Sequence, residues 1–123
     1  MDKTAEDLKA RTKRFAVTAL DFIETLPRTI AAAELARQLT RASFGVAGNY
    51  RSACRSRSHA EFTARLGSVL EEADEAELWL DISTEKHWGD AESRARLLDE
   101  SGQLRAIFSK ACVTARLHEH RRR

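Results

Sequence analysis

Apolar and small residues recur along this chain at alternating spacings of four and three. The first stripe is Leu8, Thr12, Phe15, Ala19, Phe22 and Leu26. The second is Leu35, Leu39, Ala42, Val46, Asn49 and Ala53, flanked by Tyr50. The third is Phe62, Leu66, Val69, Ala73, Ala76 and Leu80, flanked by Leu70. The fourth is Leu97, Ser101, Leu104, Phe108, Ala111 and Ala115, flanked by Ile107. Such spacing averages about 3.5 residues, the seam of left-handed supercoiled helices. The segments are rich in Ala, Leu, Glu and Arg, which favour helix, and β-branched runs that would favour strands are absent.

Three breaks separate the stripes. Pro27 disfavours helix at Leu26 and lacks a backbone donor. Ser56-Arg57-Ser58-His59 is a softer break, and Trp88-Gly89-Asp90 is the third. The pattern predicts helices over about 4–26, 30–56, 59–86 and 91–118, with a basic tail at 119–123. Thr29, Ser58 and Asp90 stand where N-caps belong. Ser58 with Glu61 three residues on reads as a capping box. No single helix buries its own stripe, so the four must share one core. The expected fold is all-α, an antiparallel up-down-up-down four-helix bundle formed by residues 1–123 as one domain.

Composition agrees with one modest core: 123 residues, 42% hydrophobic and 33% charged, with 1 Pro. No apolar run approaches the ~18 residues of a membrane span. The first residues lack an apolar signal core, so a cytoplasmic protein is expected. Cys54 and Cys112 are too few for a disulfide framework or a zinc cage and flank core stripes as small hydrophobes. Net charge is only +2, but its distribution is uneven. Residues 1–58 carry 11 Lys/Arg against 6 Asp/Glu, residues 59–102 carry 4 against 12, and residues 103–123 carry 6 against 1. Such asymmetry suits helix-to-helix contacts, assembly with further copies, or a basic face for an anionic partner; the bland alternative is a solvated surface.

Some residues go beyond what one bundle needs. Arg37, Phe44, Arg51 and Arg55 lie opposite Leu39 on the second helix, with Arg41 beside them. Gly48 shares that outer face and Gly45 borders it. Each glycine inside a helix costs about 1 kcal/mol against Ala, usually offset by close approach of another group. Val17 and Leu20 on the first helix, and Val113 and Leu117 on the fourth, also fall off their stripes. Together these predict an oligomer interface, with the same face as a solvated surface carrying one stray Phe as the alternative. Asn49 on a seam predicts a buried amide that fixes register. Glu77, between Ala73 and Leu80, predicts a buried carboxylate needing a cation, with Arg11 or Arg57 as candidates.

Catalytic patterns are missing. There is no Gly-rich phosphate loop. His59, His87, His118 and His120 form no Glu-x-x-His pair on a core stripe, so no metal and no cofactor is expected. Trp79 and Trp88 suit packing or interface anchoring better than base stacking. An enzyme is not expected.

The stretch Leu39 to Leu80 resembles a bacterial family of small four-helix bundle proteins, the 23S ribosomal RNA intervening-sequence (S23) family. The resemblance rests on Leu39-Thr40-Arg41-Ala42-Ser43, Val46-Ala47-Gly48-Asn49-Tyr50-Arg51-Ser52-Ala53 and Arg57-Ser58. It continues through Glu61-Phe62, Arg65-Leu66-Gly67-Ser68-Val69 and the acidic stretch to Trp79-Leu80. Many members have Pro where Ala47 stands and Ala-Glu-Gly where Arg51-Ser52-Ala53 stands, so no role of that Glu carries over. The resemblance implies a homopentamer without established enzyme activity. A similar fold occurs in accessory proteins of diversity-generating retroelements, whose basic pentamers bind nucleic acid and a reverse transcriptase; both partners come to this chain only by analogy of fold. The nucleic-acid candidates are Arg37, Arg41, Arg51, Arg55 and Arg57, with Arg121, Arg122 and Arg123 of the tail. The alternative is a structural or adaptor protein whose basic second-helix face serves self-assembly, against the acidic third helix of a neighbour, or a protein partner rather than nucleic acid.

Overall fold

A computed structural model describes residues 3–121, with side chains described over 4–119. It contains four helices: α1 (Lys3–Ile23), α2 (Ile30–Cys54), α3 (His59–Lys86) and α4 (Ala91–Arg121). α2 packs on α1 and α3, α3 packs on α4, and α1 touches α4 more lightly. The chain is thus an antiparallel up-down-up-down bundle with no strand among the described residues.

The helix ends follow local chemistry. α1 stops at Ile23 rather than 26, because the chain tightens into i→i−3 bonds ahead of Pro27: Thr25 N–H to Phe22 O, 2.9 Å, and Leu26 N–H to Ile23 O, 3.1 Å. Thr29 caps α2 by accepting from Ala32 N–H at 3.1 Å. Ser58 caps α3 by accepting from Glu61 N–H at 3.1 Å, while the Glu61 carboxylate accepts from Arg57 N–H, one residue earlier than a standard box. Asp90 caps α4 by accepting from Ser93 N–H at 2.9 Å, and that bond holds its carboxyl below the usual carboxylate range. α3 ends on His87, which adopts φ 57° while Trp88 N–H bonds back to Ser83 O at 3.0 Å.

The core follows the four stripes, with Phe15, Phe22, Leu39, Leu66, Leu80, Leu97, Leu104 and Phe108 fully or almost fully buried. Thr12, Ser43, Ser83 and Ser101 are buried too, each donating to a carbonyl of its own preceding turn. In α2 the seam steps from Val46 to Tyr50, and in α4 from Phe108 to Cys112. Both steps are four residues where three was expected, since a helix of 3.6 residues per turn drifts against a strict 3.5 repeat.

That drift corrects the first expectation about buried polar groups. Asn49 is only half-buried, and its amide donates to Gly45 O at 2.9 Å within its own helix; Tyr50 occupies the seam instead. Glu77 is likewise half-buried and pairs with neither Arg11 nor Arg57. It accepts from Arg105 of α4 at 2.6 Å, lying above Gly102, where a Cβ would come within 3.1 Å of its carboxylate. Arg11 instead makes a two-pronged bond to Glu100, 2.7 Å on each prong, and donates to Gln103 at 2.8 Å, tying α1 to α4. The sequence patterns also passed over Arg94. It is buried, and its guanidinium donates to the Trp88 carbonyl at 2.7 Å, closing the α3–α4 turn.

Candidate functional site

The arginines of α2 form one stripe, and the structure divides it in two. From Arg37 to Arg51 α2 rises about 21 Å, and Arg55 and Arg57 follow in the connection to α3. At one end Arg37 is ion-paired with Glu34 at 2.9 Å, and Arg41 donates to Gln38 at 3.3 Å. At the other end the side chains of Arg51, Arg55 and Arg57 are exposed and have no side-chain partner among the described residues. Phe44 lies between these ends, 50% exposed.

Arg51 is one wall of a groove between α1 and α2, 530 Å³ in volume. Its other charged residues are Glu6, Lys9 and Lys13 of α1, and its apolar lining is Ala10, Ala47 and Gly48. Glu6 and Lys9 pair at 3.0 Å, which leaves Lys13 and Arg51 as its cations without a partner among the described residues. The small lining residues keep the floor low and leave both cations open to an anion. Lys13 was absent from the candidates read from sequence. Its signal was the Lys9 to Lys13 spacing of four, which places both ammonium groups on one face of α1.

The two glycines of α2 separate in role. A Cβ at Gly48 would meet nothing within 4 Å. A Cβ at Gly45 would run into the Glu72 carboxyl group of α3, so Gly45 serves contact within the bundle rather than the outer face. The cause is angular: Gly45 follows buried Ser43 and precedes buried Val46, on the flank of α2 that meets α3. Glu72 and Glu77 thereby each lie over a glycine of an adjacent helix. Burial, with Glu75 nearby, pushes the Glu72 carboxyl above its ordinary value, and Arg41 partly offsets this. Gly48→Ala should raise stability by about 0.5–1 kcal/mol, measured by urea unfolding, because only helix propensity changes. If Gly48 also admits a second backbone, the same variant will weaken self-association in light scattering.

The off-stripe apolar residues Val17, Leu20, Phe44, Val113 and Leu117 are all exposed, between 39% and 56%. They do not form one patch. Val17 and Leu20 lie beyond the Arg11–Glu100 contact in one direction along the bundle, and Val113 and Leu117 beyond it in the other. The acidic counterpart is a shallow groove of 520 Å³ between α3 and α4, lined by Asp74, Glu77, Leu78, Asp81 and Leu98. Of the tail, Arg121 ends α4 without a described side chain, and Arg122 and Arg123 lie outside the described residues. Among the described residues no group of three or more His, Cys, Asp or Glu could hold a metal ion. No helix there is long and apolar enough to cross a membrane.

These features define a small antiparallel four-helix bundle with one basic and one acidic groove. No family model matches the chain, and no curated protein does. Among solved structures, the chain is similar to a protein of unknown function from the S23 ribosomal protein family of Bacteroides thetaiotaomicron VPI-5482. The TM-score is 0.77 at 22% identity, covering 85% of this chain and 97% of that one. The S23 protein's fold is therefore the fold of this chain over 85% of its length.

Proposed function

We propose that this chain is an S23-like, non-catalytic, self-associating bundle, pentameric as the resemblance implies, that binds the phosphate backbone of RNA or DNA in the cytoplasm. Its α1–α2 groove is the contact surface. The supporting observation is the pair of cations without a partner among the described residues, Lys13 and Arg51, lining one small-residue groove with Arg55 just past the end of α2. Backbone contacts of this kind confer affinity without sequence selectivity, and they release counterions. Fluorescence anisotropy with a structured RNA and a random duplex should show binding that weakens steeply with salt. Lys13→Glu combined with Arg51→Glu should abolish most of it, and losing two phosphate contacts should flatten the salt slope by about 2. No binding at low salt would overturn the proposal.

A second reading is favoured by the acidic α3–α4 groove. In it, the same basic face meets Asp74 and Asp81 of a neighbouring copy, and the protein is a structural adaptor. Arg51→Glu with Arg55→Glu should then lower the mass measured by size exclusion with light scattering. An unchanged mass counts against this reading and leaves the nucleic-acid reading standing.

A further inference from the structure

The two ends of the bundle are closed to different degrees. Where α1 ends and α4 begins, Phe22, Leu80 and Leu97 are sealed from solvent, while Ile23 and Leu26 at the rim are half-buried, along a groove against the start of α2. At the opposite end the seam residues Leu8 and Phe62, with Ile107 and Ala111 beside the α4 seam, are only half-buried. They border an open crevice of 440 Å³ that reaches down to buried Leu66 and Phe108. The cause is the light contact between α1 and α4, which leaves the fourth side of the core uncovered there.

The chemistry of this crevice is one-sided. Among the described residues, no Asp or Glu lines it. Its charged or basic lining residues are Lys110, His59 and His118. His59 is fixed by donating from Nε2 to the Ala115 carbonyl at 2.8 Å. His118 stacks over it, with ring centroids 6.4 Å apart and planes at 21°. An apolar pocket of this size with a few convergent polar groups is the usual form of a small-molecule site. Here the basic groups open to an anion are Lys110 and His118, about 12 Å apart along α4, beside the polar Thr4, Tyr50 and Thr114.

We propose that this crevice is a binding site for a small apolar carboxylate, its hydrocarbon body against Phe62, Ile107 and Phe108 and its carboxylate at Lys110. The site shares no residue with the α1–α2 groove. Its failure therefore leaves the nucleic-acid reading untouched, and the converse holds.

The test titrates decanoate, decanol and decylammonium into the full chain, following the NMR signals of Leu8, Phe62 and Ile107. Decanoate should bind saturably and about tenfold more tightly than either counterpart, because only it matches the cationic mouth. Lys110→Glu should remove that preference while leaving decanol binding in place. Lys110 is exposed, so the substitution spares the fold. Ala111→Phe, which fills the crevice, should weaken decanoate and decanol together. Equal binding of all three probes, or a preference for decanoate that survives Lys110→Glu, overturns the proposal. So does decanoate affinity that rises on dilution of the protein, since a second copy would then be the occupant.

Discussion

Phe22→Ala should cost the bundle about 3–5 kcal/mol, the range for deleting a buried aromatic ring. Phe22 is fully buried near the C-terminal end of α1. Its ring does two jobs there. It fills the closed end of the core, and it is the surface on which the α3–α4 turn rests, since Gly89 lies directly against it. Truncation therefore opens a cavity and removes the seat of a turn that also bonds to the α1–α2 turn, Asp90 N–H donating to Thr25 Oγ1 at 2.9 Å. A domain of this size has roughly 5–15 kcal/mol in total, so the variant should be marginal. Thermal unfolding by circular dichroism should show a fall of about 10–25 °C. Ile30→Ala is the matched control. Ile30 is 93% exposed, and its loss should shift stability by no more than about 0.5 kcal/mol. A loss under about 1 kcal/mol for Phe22→Ala would mean that this end is not the closed one.

Gly89→Ala should destabilise by about 2–4 kcal/mol through two separable effects. The backbone there has φ 78°, a conformation that costs an L-residue about 1–2 kcal/mol. A Cβ would also stand 2.7 Å from the Phe22 ring and 2.9 Å from Thr25 Oγ1, both of them anchored groups. His87, two residues earlier, separates the terms. It also has positive φ, 57°, but it is exposed, so His87→Gly relieves backbone strain without touching packing. That variant should gain up to about 1 kcal/mol in urea unfolding. If Gly89→Ala loses no more than His87→Gly gains, the turn does not press on α1 as the structure has it.

How far the candidate site was legible depended on whether a residue acts within one helix or between two. The stripe of Arg37, Arg51 and Arg55 is a property of one helical wheel, and the structure places all three outward. Asn49 failed because a one-residue choice between three and four, invisible to an average spacing, decides which residue enters the core. The partner of Glu77 failed because α3 has two neighbours, and a side chain at the edge of its stripe leans toward one of them. It leans toward α4, where Gly102 leaves room and Arg105 supplies the charge. Gly45 and Gly48 looked equivalent for the same reason: a missing Cβ says that something approaches, without saying from which side.

The sequence by itself determined that this protein is four amphipathic helices, where each starts, and that they share one core, because caps, breakers and periodicity act within a few residues of themselves. Only the tertiary structure decided that Lys13 of α1 joins Arg51 of α2 in one groove, that the two pairs of off-stripe apolar residues lie at opposite ends, and that one end of the core stays open. Those are relations between residues some 40 to 100 positions apart, fixed by how closely each pair of helices packs, and no local pattern carries that distance.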